Sequence, residues 1–211
     1  MTDIHCHILY GLDDGAQTQE ESYAMLLAAQ SAGFDHIVAT PHAKHFPYDM
    51  ALAQARFAQV SETAAGLGVS LRLGFEVHWH ILQYMSADEI APFCTQGSDM
   101  LLIEFHMKGG VPDNMIRRLR DLQRDGYPLI IAHPERYEFV QRDIGIAEMW
   151  HEMGASLQLD ARELCGAPFH KARRTAEKLL KRGLYDYYAT DAHCAQDYRL
   201  FTKAVQKHGL L

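Results

Sequence analysis

At 211 residues, 48% hydrophobic and 22% charged, the chain is long enough to bury a sizeable core and is most simply one domain over residues 1–211. Its 27 acidic side chains outnumber its 20 basic ones by seven, and no dense basic patch occurs, which argues against a nucleic-acid phosphate footprint. No apolar stretch has the length of a membrane span, and no basic region followed by an apolar one opens the chain, so a cytoplasmic location is expected.

The first apolar run, Asp3-Ile4-His5-Cys6-His7, reads as a strand whose alternation puts both histidines on one face and Cys6, as a small core residue, on the other. Thr18 and Glu21 have capping-box spacing, Tyr23, Met25, Leu26 and Leu27 follow, and Gly33 suits a stop, which predicts a helix over 18–33. Ile37-Val38-Ala39-Thr40 then runs into Pro41-His42, a helix is expected near 50–66, and Leu71 to Phe75 meets Glu76. A weaker helix near 86–95 precedes Leu101-Leu102-Ile103, which meets Glu104. Pro112 suits the first turn of a helix over 112–125 that ends at Gly126. Leu129 to Ala132 delivers His133, and Gly154 ends a helix over 144–153. Leu157-Gln158-Leu159 delivers Asp160, and Gly183 ends a helix over 168–182. Tyr187 to Thr190 delivers Asp191 and His193 ahead of a helix near 196–207.

Strands alternating with helices are the pattern of parallel βαβ units. Seven such units predict an α/β fold, a closed or nearly closed barrel related to the TIM barrel, although an open doubly wound sheet has the same sequence pattern. The barrel is favoured because chemistry gathers at the C-terminal ends of barrel strands, where nearly all the candidate ligands fall. One His-x-His pair, His5 and His7, means little alone. The repetition of the pattern at His42, Glu76, Glu104, His133, Asp191 and His193 points to divalent metal. Mixed imidazole and carboxylate donors suit Mn, Fe or Zn, and such a cluster both activates water and neutralises phosphoryl charge. The four cysteines form no CxxC pair or phosphate-cradling Cx5R loop, and neither a GxSxG elbow nor a P-loop lysine occurs. Arg136, three residues after His133, is placed to meet a phosphate monoester with its planar fork, and Arg199 is a second candidate.

Read in order, these residues resemble the PHP (polymerase and histidinol phosphatase) superfamily, and within it the bacterial manganese-dependent tyrosine phosphatases of the CpsB/CapC capsule-regulating type. The resemblance is carried by Asp3 to Leu9 with Gly11 to Gly15, by Thr40-Pro41-His42, Gly74-Phe75-Glu76-Val77 and Leu102-Ile103-Glu104-Phe105, and by Ala132 to Tyr137 and Thr190 to His193. It implies a distorted (β/α)7 barrel holding three divalent ions. His5, His7, Glu76 and Asp191 would hold the first; Glu76 would bridge to a second held also by Glu104 and His133; Asp14, His42 and His193 would take the third. Arg136 would bind the substrate phosphate. The implied activity is phosphotyrosine hydrolysis on proteins, often on the tail of a bacterial tyrosine kinase that controls exopolysaccharide export. Glu20-Glu21-Ser22 resembles a segment that mediates self-association in relatives, although its plain reading is a capped surface helix. Departures are Tyr10, short loops around 43–50 and 107–111, an unexpected His106, and an arginine displaced to Arg199. His106 is open to three readings: extra ligand, general acid, or rim residue. Two other functions share the pattern, a small-molecule phosphoesterase acting on histidinol phosphate or a nucleotide, and a non-catalytic metal-stabilised interaction module.

Overall fold

The computed structural model describes residues 1–210. Its strand segments are β1 (Thr2–Cys6), β2 (His36–Ala39), β3 (His42–Ala43), β4 (Ser70–Leu73), β5 (Glu76–His78), β6 (Leu101–Glu104), β7 (Leu129–Ala132), β8 (Ser156–Asp160) and β9 (Tyr187–Ala189). All pair in parallel, in two sheets ordered β1-β2-β4 and β3-β5-β6-β7-β8-β9. Where one sheet of seven strands is expected, two of the seven runs are each broken in the middle. Pro41, which has no N–H to give to a ladder, separates β2 from β3. Gly74 and Phe75 separate β4 from β5, and a Cβ on Gly74 would come within 2.9 Å of Thr95 Oγ1 and 3.1 Å of Val38 Cγ1, so the backbone there passes too close to its neighbours for a side chain. Each broken run therefore begins in the small sheet and ends in the large one.

The outer edges of the two sheets also meet. His7 N donates to Ala192 O (2.9 Å) and Asp191 N donates to His5 O (3.0 Å). The buried Asp3 carboxylate accepts from Thr190 N (3.1 Å) and Thr190 Oγ1 (2.6 Å). These bonds set the start of the chain beside Asp191 and His193.

The helices are α1 (Gln19–Ser31), α2 (Met50–Gly66), α3 (Trp79–Leu82), α4 (Ala87–Ile90), α5 (Met115–Arg124), α6 (Glu138–Arg142), α7 (Gly145–Glu152), α8 (Lys171–Lys181) and α9 (Ala195–His208). Thr18 caps α1 by accepting from Glu21 N, but the Glu21 carboxylate reaches back to Gln17 N (2.6 Å) rather than to the cap, so half of the expected box forms. The expected 86–95 helix is α-helical only to Ile90 and continues as a 3-10 turn over Ala91–Phe93, where Pro92 has no N–H to give to an α-helical bond. Pro112 lies in the turn before α5, whose start is set by left-handed Asn114, and not in the first helical turn. The single-turn helices α3 and α6 are too short to leave a periodic signal. No helix among the described residues is long and apolar enough to cross a membrane.

Strands apolar on both faces explain the packing. In β7, Leu129 and Ile131 join the main core, while Ile130 and Ala132 pack on the opposite face with Leu102 of β6, Ile4 of β1 and Tyr187 of β9. That small second cluster draws on both sheets, and the histidines and carboxylates lie just beyond it at the strand ends.

Candidate metal centre

A bulge between Asp3 and Cys6 ends the regular pairing of β1, and both imidazoles are fully buried with their Nε2 atoms 3.2 Å apart. The other ring nitrogens are taken. His5 Nδ1 donates to Gln158 Oε1 (2.9 Å), and His7 Nδ1 donates to Asp13 Oδ2 (2.8 Å). An amide oxygen and a carboxylate can only accept, so in the neutral rings each Nε2 turns its lone pair to the interior, the orientation that metal-binding histidines receive from outer partners. Asp13 also accepts from the backbone N–H groups of His42 and Gly15. A Cβ on Gly15 would sit 2.1 Å from His7 O, so only glycine lets this loop close over His7.

Four donor atoms converge at the centre. His5 Nε2 lies 3.4 Å from Glu76 Oε2 and 3.3 Å from Asp191 Oδ1, and His7 Nε2 lies 3.5 Å and 3.2 Å from the same two oxygens. Tetrahedral coordination with bonds of 2.0–2.1 Å sets its ligand atoms about 3.3–3.4 Å apart, so the His5–His7 edge and the four imidazole–carboxylate edges have metal-ligand length, and His5, His7 and Glu76 offer donors that all lie within 4.8 Å of one another. Glu76 extends the arrangement. Its Oε1 lies 2.8 Å from His133 Nε2, and its Oε2 lies 2.7 Å from His42 Nδ1, which is 3.5 Å from Glu104 Oε2. Glu76 Oε2, Glu104 Oε2 and His42 Nδ1 are buried without hydrogen-bond partners despite these short distances, and so is the other ring nitrogen of His133, Nδ1. Buried polar atoms rarely stay unsatisfied, and a cation shared among them satisfies several at once. At the mouth, Asp14 Oδ1 stands 3.2 Å from His42 Nε2 and 3.5 Å from His193 Nε2. His133 and Asp191 both hold positive φ, 30° and 45°, strain of the kind that clusters at functional sites.

With protein groups alone, protons take the place of cations. Burial opposes charging His5, yet the Glu76 and Asp191 carboxylates carry its pKa up to about 9. Burial and the neighbouring Glu76 push Glu104 up to about 8. Against burial, the charge of His5 holds both Glu76 and Asp191 well below the usual carboxylate range. The signs follow by linkage. His5 rises from 6.5 and Glu104 from 4.5, so the stability each contributes is complete below those values and is lost as pH climbs through about 9 and about 8. The melting temperature of EDTA-treated protein is therefore expected to fall between about pH 6.5 and 9. Excess Mn2+ removes this fall, because metal displaces the protons and binds more tightly as pH rises. A flat EDTA profile over that window would refute the assignment.

The sequence-predicted residues converge with one exception. Asp14, His42, Glu76, Glu104, His133, Asp191 and His193 line one cleft of about 430 Å³ with Lys44, Arg136 and Arg162, and His5 and His7 are buried against Asp191. Arg199 does not belong there. It is exposed on α9 and faces a separate groove against α1, because its helix carries it away from the strand ends. The expected second cluster also differs in detail: His42, rather than His133, groups with Glu76 and Glu104, and His133 contacts Glu76 alone. His106 is exposed, set edge-on against His78, and outside the cleft lining. Asp160 is bound by Arg162 at 3.0 and 3.1 Å rather than turned to the cage. Sequence reasoning missed Arg162, Asp13 and Gln158. Gln158 left a signal, as a polar residue inside a buried strand two positions from Asp160.

Comparison with known proteins agrees with this geometry. The family described as capsular polysaccharide synthesis, CpsB/CapC, matches residues 1–202. CapC of Staphylococcus aureus is 32% identical over 199 residues, covering 92% of this chain and 77% of that protein. The tyrosine-protein phosphatase YwqE of Bacillus subtilis is 29% identical with the same coverage. A solved structure from the set of YwqE and CpsB of Streptococcus pneumoniae, described as metal-dependent tyrosine phosphatases, superposes with a TM-score of 0.84 at 26% identity, covering 99% of this chain and 87% of that one. A β-aspartyl dipeptidase from Fervidobacterium islandicum shares the fold at a TM-score of 0.62 and 12% identity. From its first residue to residue 202, the chain belongs to the CpsB/CapC family of capsular polysaccharide synthesis proteins.

Proposed function

We propose that this chain is a metal-dependent phosphotyrosine-protein phosphatase acting in capsule or exopolysaccharide synthesis, on a substrate such as the tail of a bacterial tyrosine kinase. The observation that carries the reading is the cage of His5, His7, Glu76 and Asp191 at metal-ligand spacing, with Glu76 shared onward to His133 and His42. In this reading the two sheets act as one distorted (β/α)7 barrel whose strand ends hold three divalent ions, manganese first, with iron or zinc as substitutes. Such ions supply an activated water at neutral pH and neutralise charge on the phosphoryl oxygens.

The chain's own groups do the rest. His5 and His7 are locked by Gln158 and Asp13, so their donor atoms do not reorganise during turnover. Arg136, anchored to Asp191 Oδ2 at 2.9 Å, stands over the cleft with donors to spare for two equatorial oxygens. Lys44 adds a second positive charge at the rim, 3.8 Å from Glu104 Oε2. A tyrosyl phenolate leaves with little acid assistance, which suits a site where His106 stands outside the cleft.

The test is elemental analysis of the purified protein together with phosphotyrosine-peptide turnover with and without added Mn2+. Bound divalent metal and Mn2+-dependent turnover are expected. A strong preference for alkyl phosphates would replace this reading by a small-molecule phosphoesterase, and metal that raises the melting temperature without any turnover would leave an interaction module.

A further inference from the structure

The two strands that supply Glu76 and Glu104 repeat a second feature that the phosphatase reading does not use. Each carboxylate is followed two residues later by a histidine, in Glu76-Val77-His78 and in Glu104-Phe105-His106. Residues two apart on a strand share a face, so His78 projects one step beyond Glu76 along β5, while His106 follows just past the end of β6. β5 and β6 pair with His78 level with Glu104. The chain then turns into α3 immediately after His78 and brings His80 back over it. His78, His80 and His106 thus assemble outside the cage, with ring centroids 4.6 Å apart for His78 and His80 and 4.3 Å apart for His78 and His106. One nitrogen of each lies within 4.8 Å of the others.

We infer that His78, His80 and His106 form a separate binding site for a late first-row divalent ion, zinc, nickel or copper, beside the catalytic cluster and distinct from it. The chemistry differs from that of the cage. No carboxylate belongs to the triad, and an all-imidazole set favours zinc, copper and nickel, whereas the mixed nitrogen and oxygen set also accommodates manganese. Three histidine ligands with an open fourth position are an established zinc arrangement. The Nδ1 atoms of His78 and His80 lie 2.6 Å apart, so a proton or a cation lies between them, and His78 Nδ1 also accepts from His80 N (3.2 Å). His78 is buried, while half-buried His80 and exposed His106 leave an entry path from solvent. This inference goes beyond the proposed phosphatase function and does not depend on it.

The experiment uses the full chain loaded with Mn2+, incubated with Zn2+, dialysed against Mn2+ buffer, and analysed for both elements. Wild type is expected to retain about one zinc per chain with its manganese undiminished, and the His80→Ala/His106→Ala variant almost none. Both substitutions lie on accessible side chains outside the cage, so the variant keeps its fold and its Mn2+-dependent turnover. Equal zinc in the two proteins, or zinc gained by wild type only at the expense of manganese, overturns the inference. Absence of phosphotyrosine turnover in wild type would instead count against the proposed function and leave the zinc difference standing.

Discussion

Glu76→Gln is expected to lower phosphotyrosine turnover about a thousand-fold or more in saturating Mn2+, since losing about 4 kcal/mol of transition-state stabilisation costs three powers of ten. Among the described residues, Glu76 is the one carboxylate in reach of four imidazoles. Oε1 faces His133 at 2.8 Å, and Oε2 faces His5, His7 and His42 at 3.4, 3.5 and 2.7 Å. Glutamine preserves the shape but replaces an anionic oxygen with an NH2 group that can only donate, so it can no longer serve two cations at once. Burial is the first cause that keeps Glu104 protonated and the Glu76 charge the second, so removing that charge should let Glu104 ionise at a lower pH in the variant. Bound metal, melting temperature and kcat are the measurements. A variant with full metal content and near-wild-type kcat would show that the cage is structural rather than catalytic.

The candidate ligands other than Asp14 were legible because each ends an apolar run, and a parallel sheet delivers run ends to one edge, whereas Asp14 was legible only through the family resemblance of its motif. His133 and Asp191 were found this way although their left-handed backbone is invisible in sequence. The splitting of the sheet was not legible, since Pro41 and Gly74 read as ordinary strand-end residues until the two halves of each run are seen paired to different neighbours. Arg199 and Arg162 show the limit more sharply. Both follow acidic residues closely, and sequence distance says nothing about which way a guanidinium turns. Arg199 is carried outward by α9, whereas Arg162 sits in the short turn after β8 and folds back on Asp160, Asp191 and Asp197. Asp13 was quoted within the Asp13-Asp14-Gly15 motif, but only the fold shows that Asp13 orients His7 while Asp14 faces the cleft.

Arg136→Ala and Arg162→Gln are expected to fail in different ways, although both guanidiniums bind Asp191 Oδ2, at 2.9 and 2.8 Å. Arg162 directs four of its five N–H groups to acids. Nε and Nη2 hold the two oxygens of Asp160 at 3.1 and 3.0 Å, Nη2 also holds Asp191, and Nη1 holds Asp197 at 3.0 Å. Its main part is therefore to position Asp191, and its loss should weaken metal binding about 10–100-fold, as for other groups that orient a metal ligand. Breaking these buried pairs leaves carboxylates uncompensated, which should also destabilise the fold by about 3 kcal/mol. Arg136 is held through Nη1 alone, with Nε 3.7 Å from Glu163 Oε1, and a third of its side chain is open to the cleft. Its removal should cost about 10²–10³ in kcat/KM at saturating metal while leaving metal affinity almost unchanged. Arg136→Lys should recover little, because a single ammonium cannot present two parallel N–H groups to a phosphate. Turnover measured across a Mn2+ titration separates the two. Excess Mn2+ should restore Arg162→Gln and not Arg136→Ala, and the reverse pattern would exchange the roles assigned to these arginines.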